Sequence, residues 1–214
     1  MIPVTIAPEP ATFADRVRRP GGAFLRRTPN PTSAQFRTHS YWRASLAELH
    51  YAYNGVCAYS CHYIPLDTGG DSVEHFLAKS THPSLAYDWS NYRLVCQTLN
   101  GRKGSHTDVL DPFTLAAGWF TIAFPSLLVQ PSPDASSTIR DAVRATCTRL
   151  GLNDSATCLA ARERYVRDFC VGYISLDYLG RDAPFLASEI ERQGLHSTLS
   201  QMMRYDQTTD PDWP

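Results

Sequence analysis

The chain has 214 residues, 43% hydrophobic and 19% charged, which is enough length and apolar content to enclose a core. A formal net charge of −1 excludes a polycation that binds nucleic acid by bulk charge alone. No apolar run approaches the roughly 18 to 20 residues of a bilayer-spanning helix, and residues 1–10 lack the charged and apolar regions of a secretory signal. A cytoplasmic protein without a membrane is therefore expected.

In chain order, residues 1–33 are rich in Pro, Arg and Gly-Gly and read as irregular apart from a short helix over 11–18. The first fifty residues carry Arg16, Arg18, Arg19, Arg26, Arg27, Arg37 and Arg43 against Glu9, Asp15 and Glu48. This basic arm could touch phosphates or serve as a solvated or partner-facing surface. From Ser33 to Tyr53 the pattern turns helical, with Phe36, Trp42, Leu46, Leu49 and Tyr53 at mostly three- to four-residue steps until Asn54-Gly55 stops it.

Residues 56–113 are short-segmented and polar. Asp67-Thr68-Gly69-Gly70-Asp71 marks a turn, 72–77 and 92–96 read as strands, a helix starts near Gln97, and Leu110-Asp111-Pro112-Phe113 closes the unit. Residues 119–129 look extended, and 130–137, with Pro131 and Pro133, read as a linker. Beyond them Ile139, Val143, Cys147 and Leu150 form a helical stripe ended by Gly151. Asn153 or Asp154 is placed to cap a second, long helix reaching about Leu179, and a third runs from Pro184 to about Gln193. The six cysteines, Cys57, Cys61, Cys96, Cys147, Cys158 and Cys170, read as free thiols in the absence of a secretion signal. The expected class is α+β. It comprises a basic arm and helix (1–55), a central unit (56–113), an extended connector (114–133), a helical region (134–205) and a polar tail (206–214).

The central unit carries the chemistry. Val73-Glu74-His75-Phe76 is followed by Trp89-Ser90-Asn91-Tyr92 and then by Asn100-Gly101-Arg102-Lys103. Phosphodiester hydrolysis needs a base for water near neutral pH, which suits histidine, and a cation to neutralise developing charge. A carboxylate and an amide oxygen suit a Mg²⁺-like ion. Glu74 and His75, as strand neighbours, can share one site only where the strand twists or ends. Asn100 and Lys103, three apart on a helix, share a face. Taken singly, each residue also has a plainer role: a core histidine, a turn cap at Asn91, a surface amide at Asn100, solvated charge at Lys79 and Lys103.

As a set, the segment resembles the HNH (ββα-metal) endonucleases, and more narrowly the HNH proteins that accompany ATPases in Septu-like and retron anti-phage systems. The matching residues are Cys57-Ala58-Tyr59, Val73 to Ser80, Trp89-Ser90-Asn91, Cys96, Asn100 to Lys103 and Leu110 to Phe113, within about residues 56–113. The resemblance implies His75 as general base, Glu74 and Asn100 as ligands of Mg²⁺ or Mn²⁺, and Asn91 as the residue that holds the loop and orients the histidine. It further implies that Lys103, with Arg102 and Lys79, lies against phosphate. It implies DNA as substrate, with RNA open to the same chemistry, and an ATPase partner. An inactive HNH-like binding or assembly subunit is the alternative. Many relatives hold a structural zinc with two Cys-x-x-Cys pairs. Here these read Cys57-Ala-Tyr-Ser60 and Cys96-Gln-Thr-Leu99, so no structural zinc is expected.

Overall fold

The computed structural model describes residues 1–205; the expected polar tail lies outside the described residues. A π-helical turn, Ala14–Arg18, runs directly into α1 (Arg19–Arg27), so the N-terminal segment is more helical than its Pro and Gly content predicts. Pro20 is tolerated because it falls in the first turn of α1. Gly21 is needed because α1 lies against Tyr87: a Cβ there would sit 2.1 Å from the aromatic ring. The arm is tied to the central unit. Phe13 packs edge-on against Trp89 and Tyr92 at 5.5 and 5.7 Å, and the Trp89 indole donates to the Ala7 carbonyl at 2.8 Å.

The single helix expected over 33–53 is three pieces: α2 (Ser33–Thr38), a 3-10 turn (Tyr41–Ser45) and α3 (Leu46–Ala52). Thr32 opens α2 with a capping box to Gln35. The break follows from local side chains. Thr38 Oγ1 and His39 Nδ1 both donate to the Gln35 carbonyl, at 3.0 and 2.9 Å, while the His39 ring stacks on Phe24. Such back-bonding competes with helix continuation. Asn54 and Gly55, both at positive φ, end α3 where the pattern stops.

β1 (Asp71–His75) and β2 (Tyr92–Cys96) pair antiparallel, with Asp71 opposite Cys96 and His75 opposite Tyr92. Cys96 is also the N-cap of α4 (Gln97–Lys103), so strand and helix join without a loop. A lone two-stranded hairpin is marginal in water; this one is buried between α3 and α4. Arg93, 4% exposed, fixes its far end by a bidentate pair with Asp111 (2.8 and 2.7 Å) and by stacking on Phe113 at 3.5 Å.

β3 (Phe120–Ala123) and β4 (Leu128–Pro131) form a second hairpin, which takes in the start of the expected linker. α5 (Ser137–Leu150) buries Val143, Cys147 and Leu150 and ends at Gly151, φ 62° and ψ 43°. The long second helix is interrupted: α6 (Cys158–Cys170) stops before Gly172, at φ 82°, and α7 (Leu176–Asp182) restarts with Ser175 as cap. Asn153 caps neither helix. Its amide donates to and accepts from the backbone of Val129, at 2.8 Å each way, and so acts as a strand neighbour of β4. α8 (Pro184–Arg192) contributes Glu189, which accepts from the Ile122 amide at 2.9 Å and binds β3. α9 (Leu199–Met203) completes an α+β fold. No helix among the described residues is long and apolar enough to cross a membrane.

Two glycines separate packing from propensity. Gly21→Ala is expected to destabilise by about 1–3 kcal/mol through overpacking against Tyr87. Gly101→Ala, in α4 with nothing within 4 Å of the added Cβ, is expected to stabilise by about 0.5–1 kcal/mol through helix propensity. Thermal denaturation of the two variants should therefore move in opposite directions.

Candidate active site

A cleft of about 1030 Å³ lies between the α2 to 3-10 segment on one side and β1 with α4 on the other. Glu74, His75, Lys79 and Asn100 all line it. β1 ends at His75, so the two adjacent strand residues reach one cavity.

Glu74 is 1% exposed. Its Oε1 accepts from Lys103 Nζ at 2.8 Å and its Oε2 from the Tyr59 hydroxyl at 3.1 Å. Burial pushes the carboxyl above its ordinary range, and Lys103 pulls against that shift. Each oxygen retains a second lone pair for a further contact. Asn100 is half-buried and donates through Nδ2 to Ser72 Oγ at 2.9 Å and to the Val73 carbonyl at 3.4 Å. Its Oδ1 accepts no hydrogen bond from a described residue. One carboxylate and one amide oxygen fit a hard divalent cation that keeps most of its waters. Among the described residues no group of three or more His, Cys, Asp and Glu side chains could hold a metal, so water would complete the shell.

His75, 6% exposed, is held from three sides. Nε2 lies 2.9 Å from the Ala86 carbonyl, an obligate acceptor, so the proton is on Nε2 and the Nδ1 lone pair is left free. Trp42 and Tyr92 pack edge-on at 5.0 and 5.1 Å. Burial, then the charges of Lys79 and Lys103, bring its pKa down to about 3, so the ring is neutral at physiological pH. Asn91 spends its amide on the loop between the strands. Oδ1 accepts from the Leu77 amide at 2.8 Å, and Nδ2 donates to the Leu77 and Leu85 carbonyls at 3.0 and 3.2 Å. This fixes the backbone beside Ala86 and hence the partner of His75.

The three expected phosphate contacts separate. Lys79 lines the cleft, its ammonium 5.0 Å from the centre of the Trp42 ring. Lys103 does not face solvent: at 1% exposed it donates to Glu74 at 2.8 Å and to the His75 and Phe76 carbonyls at 3.3 and 2.7 Å. Three protons have three acceptors. Arg102 points the other way and caps α5, donating to the Leu150 and Gly151 carbonyls at 3.0 and 3.2 Å and pairing with Asp154. Both therefore depart from the expected phosphate role for the same reason: their charge is already satisfied inside the fold.

At the two half-pairs of cysteine, the Cys96 amide donates to Cys57 Sγ at 3.5 Å. Burial raises the Cys57 thiol, but hydrogen bonds from Cys96 and Ser60 outweigh it and lower the pKa to about 6. The fourth positions are Ser60 and Leu99, and Leu99 is packed in the core at 1% exposure.

The site is that of an α+β protein with a ββα unit presenting a carboxylate, a neutral histidine and an amide to one cleft. No family model matches the chain. A stretch of 72 residues is 33% identical to Septu protein PtuB of Bacillus thuringiensis, covering 34% of this chain and 27% of that protein. The match thus spans about a quarter of that relative's length, a distant similarity.

Two outcomes test this geometry. Lys103→Met should cost about 3–5 kcal/mol in denaturant unfolding because it strands the buried Glu74, and adding Glu74→Gln should recover much of that loss. A lysine serving only phosphate would leave stability unchanged. For His75, the unfolded chain binds a proton from about pH 6.5 downward while the native chain does not until about 3. Stability is thus intact above pH 6.5 and falls as the pH drops through that window, by about 2 kcal/mol at pH 5. In metal-free buffer, His75→Gln should lose about that much less than wild type between pH 7 and pH 5.

Proposed function

We propose that this protein is a metal-dependent endonuclease of the HNH kind that hydrolyses phosphodiester bonds in DNA. The observation that carries the reading is the state of His75. The ring is neutral at physiological pH and its Nε2–H donates to the Ala86 carbonyl, so the free lone pair is on Nδ1, and His75 lines the same cleft as Glu74 and Asn100. A base needs such a lone pair held in fixed orientation. In this reading His75 takes a proton from the attacking water. Glu74 and Asn100 would hold a Mg²⁺ or Mn²⁺ ion, which when bound supplies charge stabilisation for the phosphorane and the departing oxygen. Lys79 faces the phosphate from the cleft wall, and Asn91 acts as a positioning residue through the loop that carries Ala86. RNA could be cut by the same groups.

The similarity to a Septu protein supports a role in anti-phage defence, and the resemblance of residues 56–113 to HNH proteins that accompany ATPases extends this reading to an ATPase partner that controls the cut. The helical region after residue 134 is the candidate surface for that partner. A second reading has one observation in its favour: both Glu74 oxygens already accept a hydrogen bond, which an inactive scaffold would retain without any metal.

Plasmid and oligonucleotide cleavage with Mg²⁺ or Mn²⁺, alone and with an ATPase encoded beside it, decides between them. His75→Ala is expected to lower cleavage by about 10²–10⁴-fold while keeping the wild-type circular dichroism spectrum. Calorimetric Mn²⁺ binding should vanish in Glu74→Gln. Undiminished cutting by His75→Ala refutes the base assignment, and absence of both cutting and metal binding in the wild type favours the scaffold.

A further inference from the structure

The seven arginines of the first fifty residues divide into three that are paired, two (Arg26 and Arg27) that are exposed outside the cleft, and two that line it. Arg16 pairs with Glu48 at 3.1 Å, Arg18 with Glu9, and Arg19 with Asp15, so these three are neutralised at the surface. Arg37 and Arg43 are exposed and form no ion pair with a described residue, and both line the cleft that holds Glu74, His75 and Asn100. They come from α2 and the following 3-10 turn, the wall opposite β1. Lys79 reaches the same cleft from the inter-strand loop, its ammonium over Trp42, and Trp42 in turn touches His75.

We propose that Arg37, Arg43 and Lys79 form a phosphate clamp that seats the backbone of a nucleic-acid strand across His75. This rests on the nuclease reading and supplies the substrate-binding residues that Lys103 and Arg102, turned into the fold, do not. Two features argue for a polynucleotide rather than a small anion. The three cations sit on three separate elements lining one cleft, so they offer successive phosphates separate partners. Arginine also forks onto phosphate with two parallel N–H donors, and an exposed guanidinium without a carboxylate partner is free to do so.

The test is binding of labelled 20-nucleotide duplex DNA, single-stranded DNA and RNA to the full chain in EDTA, where no cutting occurs, between 50 and 300 mM KCl. Arg37→Ala/Arg43→Ala should lower the slope of log K against log salt by about 1.8 on duplex or about 1.4 on a single strand, which is about 50-fold weaker duplex binding at 0.1 M salt. Arg37→Lys/Arg43→Lys should keep most of the slope. Arg16→Ala/Arg19→Ala removes the same formal charge outside the cleft and should leave the slope within about 0.3 of wild type. An unchanged slope in the Arg37/Arg43 double variant, an equal loss in the Arg16/Arg19 control, or no binding by the wild type to any of the three probes overturns the clamp. The probe that the wild type binds most tightly at a fixed salt concentration, and from which the Arg37/Arg43 double variant loses most affinity, identifies the strand that it holds. Cleavage that needs His75 together with an unchanged slope would sink the clamp and spare the nuclease reading. A lowered slope without cleavage under any condition would do the reverse.

Discussion

The buried ammonium of Lys103 is the group on which the rest of the site depends. It lies at the end of α4 and donates to the Glu74 carboxylate and to the His75 and Phe76 carbonyls at the end of β1. Those three bonds join helix and strand at the point where the strand must stop for Glu74 and His75 to share a cavity. They also explain how a carboxylate can survive at 1% exposure. An isolated charge there would be neutralised by protonation, whereas a paired and hydrogen-bonded one can persist. Tyr59 completes the arrangement from the first knuckle, so three separate stretches of chain converge on one side chain.

That convergence accounts for what the sequence disclosed and what it hid. The strand at 92–96, the helix from Gln97 and the cap at Gly151 were legible because each rests on local signals: alternation, a strand-to-helix junction and a glycine at positive φ. The pieces of the 33–53 segment were not. Its apolar spacing is set by the core beneath, and the break is caused by Thr38 and His39 competing for one carbonyl, which hydrophobic periodicity does not register. The same holds for Gly172, a lone residue that splits an otherwise continuous stripe. Of the candidate residues, Glu74, His75, Lys79 and Asn100 meet in one cleft. Lys103 and Arg102 do not, because a charge inside a motif reads alike whether it faces solvent or a buried carboxylate. Tyr59 stood in a quoted motif, but its role is visible only once β1 brings Glu74 against it.

The cysteine positions illustrate how such a unit is held. The bond from the Cys96 amide to Cys57 Sγ holds the Cys57–Ser60 stretch against the β2–α4 junction, while Leu99 turns the remaining position into core. Around them the far end of the hairpin is clamped by Arg93 on Asp111 and Phe113, and α4 is tied outward to α5 by Arg102. The central unit is thus fastened at both ends by guanidinium groups whose donors go to backbone carbonyls and a carboxylate. Apolar contact alone gives little directional control over so small a sheet.

Electrostatics then link the cleft walls to the base. Lys103 is compensated by Glu74, whereas Lys79, Arg37 and Arg43 form no ion pair with a described residue and line the cleft together with the Asp71 carboxylate. Burial is the main cause that keeps the imidazole unprotonated, and the charges of Lys79 and Lys103 add to it. A phosphate beside Lys79 would offset the smaller, charge-borne part of that depression and leave the larger part, which comes from burial, in place. Under the nuclease reading, Lys79 is therefore the cation that links the seated strand to the histidine that activates water. An imidazole that ionises near pH 3 is by itself a poor match for taking a proton from water at neutral pH, so under that reading its basicity must rise when an anionic substrate is bound.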